Sequence, residues 1–106
     1  MTNSLLAGLR PVHPGTILRR DALPALGLPT VAVAKAIGIS RQHLYDIMNA
    51  KKPITAATAL RLGRYLGNGP ELWINLQARY DLAVAAREMA GDLDAIEPAE
   101  RIAQAA

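Results

Sequence analysis

Apolar residues recur at helical spacing along most of the chain, and glycine, proline and capping residues divide the pattern into five segments. His13-Pro14-Gly15 opens the first, with Pro14 in the first turn, where a missing amide costs little. Ile17, Leu18 and Ala22 are expected to face inward, and Arg19, Arg20 and Asp21 outward; Pro24 ends the helix or sits in its last turn. Leu26-Gly27-Leu28-Pro29 reads as a linker, in which Pro29 biases Leu28 toward an extended shape. Thr30 is read as the cap of a second helix that buries Val33, Ala34 and Ile37. Gly38 follows at once, the residue that most easily takes the left-handed conformation ending a helix, and Ile39 plugs the corner. Ser40 caps a third helix, which buries Leu44, Ile47 and Met48 at i, i+3 and i+4.

Ala50-Lys51-Lys52-Pro53 is a basic loop that stops the third helix. Thr55 caps a fourth, with Ala59, Leu60, Leu62, Gly63 and Leu66 as its expected inner face and Arg61 and Arg64 projecting outward. Gly67-Asn68-Gly69 breaks it, and Pro70 starts a fifth running to about Ala90. At 100° per residue that helix carries two apolar arcs. Leu72, Leu76, Tyr80 and Ala83 form one, with Trp73 at its edge, while Ile74, Ala78, Leu82, Ala85 and Met89 form the other. Gln77, Asp81 and Glu88 separate them on one flank, Asn75 and Arg79 on the other. Asn75 and Gln77 are expected to satisfy loop amides or to cross a subunit contact, and Trp73 to lie in the core or an interface. A helix apolar on two faces needs two partners. One is the chain's own core; the other is either the C-terminal tail folding back or a second subunit. The tail offers only Leu93, Ile96 and Ile102, so a homodimer is expected.

The architecture predicted is all-α, a compact five-helix bundle in one domain. Residues 1–12 read as a loose arm, 13–90 as the folded domain, and 91–106 as an acidic, Ala-rich extension, helical only after Pro98 if at all. A length of 106 residues allows one ordinary core, and with one Trp, three Tyr and no Phe that core must be aliphatic. The absence of Cys excludes disulfides, thiolate metal sites and a cysteine nucleophile. The apolar runs are too short for a membrane span, and the N-terminus lacks a signal peptide's basic start and long apolar middle. A cytoplasmic location is the expectation.

Net charge is +3, but it is unevenly placed. Residues 1–66 hold nine Lys/Arg against two acids, and residues 67–106 hold three against seven. A basic front and an acidic rear suit a polyanion bound on one side. The front carries the segment Thr30–Asn49, two short helices joined by a tight turn, whose exposed residues are Arg41, Gln42, Tyr45, Asp46 and Asn49. An apolar-backed helix presenting such groups is what the major groove of DNA accepts, so the segment is read as a helix-turn-helix; two amphipathic helices in any small bundle is the plainer alternative. Gln42 can pair bidentately with adenine, Tyr45 and Asn49 lie one and two turns on, and Arg41 can reach guanine or a phosphate. Each of these, taken alone, is equally a solvated side chain. Asp46 would repel phosphates, and either selects cytosine or braces Arg41 or Lys51. Thr30, Ser40, Lys51 and Lys52 are the candidate phosphate contacts, which position without reading sequence.

His13 and His43 are the only histidines, with no acid cluster beside them, so neither a metal nor a cofactor is expected. No nucleophile–base pairing, carboxylate dyad or phosphate-cradling loop appears, which leaves an enzyme reading without support.

Taken together, His13-Pro14-Gly15 with Ile17-Leu18, the helix-turn-helix, Pro53-Ile54-Thr55, Ala59-Leu60-Arg61-Leu62, Glu71-Leu72-Trp73-Ile74-Asn75-Leu76-Gln77 and Tyr80-Asp81-Leu82 resemble a known family. It is the HigA (VapI-like) family of antitoxins, within the Xre/Cro-like group with its lambda-repressor-like DNA-binding domain. The resemblance covers roughly residues 12 to 84. It implies a dimer that binds a palindromic operator on double-stranded DNA before its own operon, its two recognition helices roughly 34 Å apart. It also implies capture of a small basic toxin of the HigB/RelE-like class, an RNase that cuts mRNA on the ribosome. A solitary regulator without a toxin is the alternative, and a pure protein-interaction module a third reading. For the toxin contact, the basic outer face of the first helix, the N-terminal arm and the acidic rear all stay open. Two residues depart from the family pattern: Ala50 stands where Gly is frequent, which puts the shape of that loop in doubt, and Ala57 where many members carry a capping acid.

Overall fold

The computed structural model describes residues 11–100. The arm expected over residues 1–12 lies almost wholly outside them, as does Ile102. Among the described residues there are six helices and no strand, one helix more than expected. The first, α1, spans residues 14–26 and comprises Pro14–Ile17, a π-helical turn at Leu18–Ala22, and Leu23–Leu26. Pro24 has no amide for the Arg20 carbonyl and its ring crowds that carbonyl, and the helix widens in the turn just before it, with Leu23 N donating to Leu18 O. His13 caps α1, its Nδ1 accepting from Gly15 N at 2.9 Å.

Helix α2 is Thr30–Ile37 and α3 is Arg41–Met48. Thr30 is the first helical residue rather than the cap; Pro29 holds the cap position with an extended ψ of 146° and no side-chain hydrogen bond. At the turn, Gly38 has φ 76° and its amide donates to Ala34 O and Lys35 O, while Ile39 N also reaches back to Ala34 O at 3.0 Å, so the last carbonyls of the helix are paired. Ser40 caps α3, with His43 N donating to its Oγ at 3.0 Å.

Helix α4 is Ala56–Leu66, capped by Thr55, whose Oγ1 accepts from Thr58 N. Its inner face is Thr58, Ala59, Leu62 and Gly63. Leu60, expected among them, is 62% exposed: it lies 100° around from Ala59 and 200° from Leu62, off the stripe that meets the core. Arg61 does not simply project outward, because its Nη1 donates to Ile37 O at 2.9 Å and closes the C-terminus of α2 from another element.

Helix α5 is Pro70–Glu88, followed by a short α6, Ala90–Asp94, which adds helix before Pro98; the chain is helical again at Ala99 and Glu100, directly after Pro98, as expected. The expected arcs of α5 are only partly right. Trp73, at the edge of its arc, is fully buried in the core, whereas Leu72, expected within that arc, is exposed. Gln77, read as a polar separator, is buried, and its Oε1 accepts from Ile54 N at 2.8 Å while its Nε2 donates to Asp81 Oδ1. Pairing accounts for its burial, since an unpaired amide would be costly there. The core joins Leu18, Val33, Leu44, Ile47, Ile54, Leu62 and Trp73, drawn from every helix up to α5 and from the loop before α4.

Candidate nucleic-acid interface

Three buried side chains of α3, Leu44, Ile47 and Met48, seat it against the core. Arg41, Gln42, Tyr45 and Asn49 then fall within an arc of about 100° on its outer side, and all four are exposed. The expected base-reading residues are thus brought onto one face. Ser40 lies at the N-terminal end of this face, with its hydroxyl already engaged as a cap. Thr30, half-buried, opens the neighbouring α2.

Lys51 and Lys52, both exposed, follow α3 directly. Ala50 between them and the helix has φ 60°, so the alanine takes the left-handed conformation that suits glycine, and the chain turns sharply. The turn brings Lys51 N and Lys52 N back to Asp46 O, at 2.8 and 3.2 Å. The Asp46 side chain accepts from Gln42 Nε2 at 2.9 Å and pairs with Lys52 Nζ at 3.6 Å. Its brace is therefore Lys52, not Arg41 or Lys51, because the turn swings Lys52 over the carboxylate. Further along, Ile54 N on Gln77 ties this basic loop to α5.

From beneath, α1 supports α3. Gly15 passes against the backbone of Ile47 so closely that a β-carbon would overlap the carbonyl. His13, beside it, is buried and sits edge-on to Tyr80 at a ring separation of 4.9 Å. Burial lowers its pKa from the ordinary 6.5, and the nearby Asp81 carboxylate opposes that shift. Sequence reasoning missed these supports. His13 before Pro14 did carry a signal, since proline at the first helical position marks the preceding residue as the cap.

Among the described residues no group of three His, Asp or Glu could hold a metal ion, and no helix is long and apolar enough to cross a membrane. What the surface can do is present hydrogen-bonding groups and cations to a polyanion.

A family model described as helix-turn-helix matches residues 19–73. Over 77 residues, 73% of this chain and 71% of the relative, the chain is 43% identical to virulence-associated protein I of Dichelobacter nodosus. It is 37% identical to antitoxin HigA-1 of Vibrio cholerae over 73 residues, 69% of either chain. Among solved structures, the Pseudomonas aeruginosa antitoxin HigA with the higBA promoter superimposes with a TM-score of 0.80 at 38% identity, over 84% of this chain and 98% of that one. Sequence and fold comparisons agree, and the chain belongs to the HigA-like, VapI-like family of helix-turn-helix antitoxins.

Proposed function

We propose that this chain is an antitoxin that represses its own operon by binding an inverted-repeat operator and neutralises a small basic RNase toxin by direct contact. The observation that carries the DNA half is the face of α3. Four side chains suited to a groove stand clear of the core on a helix whose other side is locked into it. The related Pseudomonas antitoxin, solved with promoter DNA, supports the same use of the fold. The family is non-enzymatic.

In this reading Arg41, Gln42, Tyr45 and Asn49 contact base edges, while Thr30, Ser40, Lys51 and Lys52 hold phosphates. Ser40 engages through its backbone amide or the hydrogen of its hydroxyl, since the oxygen is taken by the cap. Residues 13–90 form the binding and pairing domain. A second copy covers the outer arc of α5, where Leu82 is 57% and Met89 43% exposed and Ala78 is open. Ala85 is half-buried, and Ile74 is already partly taken by the chain's own core, so these two add less. Exposed Leu93 and Ile96 extend the apolar surface beyond Met89.

The test joins two measurements. The DNA preceding the chain's own reading frame should bind it with an affinity that falls steeply as salt rises, and a scrambled fragment far more weakly. Co-expression with the neighbouring reading frame should rescue cells from growth arrest. Operator binding without rescue would make it a solitary regulator, and rescue without operator binding would make α3 a protein-interaction surface.

A further inference from the structure

The hydrogen bond from Gln42 Nε2 to Asp46 Oδ1 does more than join two turns of α3. An ionised carboxylate has lone pairs and no proton, so it only accepts. Beside it a glutamine amide has one orientation, with nitrogen toward the acid and carbonyl oxygen away. Free in solvent, the same amide would flip and exchange its donor for its acceptor. Asp46 is itself held. Its side chain is only 17% exposed, and Lys52 Nζ lies 3.6 Å from Oδ2 because the Lys51 and Lys52 amides bond back to the Asp46 carbonyl.

We propose that Asp46 is a specificity-determining positioning residue, which fixes the face that Gln42 turns to the base pair. This rests on the reading of α3 as the base-contacting helix. With Nε2 anchored, Gln42 offers its Oε1 and its remaining N–H outward as a fixed acceptor–donor pair. Adenine presents the complement in the major groove, the N6 donor beside the N7 acceptor. Guanine presents two acceptors, so an oriented acceptor meets an acceptor and is rejected. Direct reading of cytosine by Asp46 is the weaker alternative, because both of its oxygens already have partners and the group is mostly covered. Lys52 completes the arrangement by offsetting the acid's charge close to the DNA surface.

The experiment measures base preference rather than affinity alone. Duplexes selected from a random pool by the full-length protein would be varied at each position and titrated with the parent, Gln42→Ala, Asp46→Asn and the double variant. Asparagine keeps the shape of Asp46 but donates as well as accepts, so it permits either amide orientation. The parent should prefer adenine at one base pair of each half-site by about 5- to 150-fold, the range for a bidentate contact. Gln42→Ala should abolish that preference. Asp46→Asn should remove most of it at the same base pair, spare the other positions, and change nothing further when Gln42 is already alanine. A parent-like preference profile in Asp46→Asn overturns the proposal, as does a uniform loss at every position, which a merely structural pair would give. Loss of a cytosine preference that persists in the Gln42→Ala background overturns it in favour of direct readout. If Gln42→Ala changes no preference, or the parent has none, the reading of α3 falls as well, so the two failures are told apart.

Discussion

Gly15 of α1 and the carbonyl of Ile47 in α3 meet backbone to backbone, with no room between them for a methyl group. Helix α3, the proposed recognition helix, is therefore held at a spacing set by a missing side chain. Within α1 alone, alanine would be the better helix former by about 0.5–1 kcal/mol. The clash is with a rigid carbonyl, and overpacking of this kind costs about 1–3 kcal/mol or more. The clash should win. Gly15→Ala is expected to unfold at a lower temperature than the parent and, where still folded, to bind its operator less tightly because α3 has been pushed outward. A melting temperature equal to the parent's would show that α1 and α3 can separate freely.

At Ala50 the balance runs the other way. Its φ of 60° places a β-carbon in the left-handed region, at a cost of about 1–2 kcal/mol for an L-residue. Glycine removes that cost but frees the unfolded chain by about 0.4–1 kcal/mol. Ala50 is exposed, so little packing is lost with its methyl. Ala50→Gly should therefore stabilise by roughly 0.5–1 kcal/mol in urea denaturation, with operator affinity unchanged. Destabilisation would mean that the methyl is held by contacts worth more than the strain.

These two positions also show where the sequence was legible and where it was not. Gly38, Ser40 and Thr55 act within a few residues of themselves, through a left-handed turn or a side chain on a nearby amide, and local pattern locates them. The candidate base contacts follow from the same periodicity, since burying Leu44, Ile47 and Met48 leaves only one face for Gln42 and Tyr45. By contrast, Arg61 reaches Ile37 across 24 residues and Gln77 reaches Ile54 across 23. Nothing in the spacing announces the partner in such pairs: Gln77 was expected to satisfy a loop amide or cross a subunit contact, and only the fold identifies that amide as Ile54's. Leu60 shows the opposite error, an apolar side chain assigned inward by type although its angle on α4 points away. Thr30 was misplaced by a single position, because a threonine after proline fits either the cap or the first turn. The left-handed Ala50 contradicts its own propensity, and only the hydrogen bonds of Lys51 and Lys52 to Asp46 require it.

The cap at His13 makes stability depend on pH. Its Nδ1 accepts from Gly15 N, so the neutral ring is the form that fits, and burial lowers its pKa below the ordinary 6.5. The unfolded chain then takes up the proton first, and stability rises with pH across the interval between the folded and unfolded values. This contribution should be fully present above about pH 6.5 and be lost as the pH falls through the folded value, where protonation also removes the acceptor from the Gly15 amide. His13→Asn retains a capping oxygen without the titration. Urea denaturation at a series of pH values should show a shallower slope below neutrality for His13→Asn than for the parent. Equal slopes would place the pH dependence elsewhere.

In the proposed dimer the outer arc of α5 sets how two copies of α3 are held at one spacing. Leu82 is 57% exposed, so replacing it alters the monomer little. In a dimer paired through α5, Leu82→Glu would place a carboxylate from each subunit in an apolar seam, close to a like charge and without water. Either partner's charge alone would be costly there, and the pair more so. The variant is therefore expected to run as a monomer by light scattering at concentrations where the parent is a dimer, with its helical circular dichroism intact and a melting temperature that no longer depends on protein concentration. Operator affinity should fall steeply, because two half-sites bound by separate molecules lose the advantage of a single linked encounter. A Leu82→Glu protein that stays dimeric would move the pairing surface to another face. Retained tight operator binding by a monomer would mean that one copy of α3 suffices.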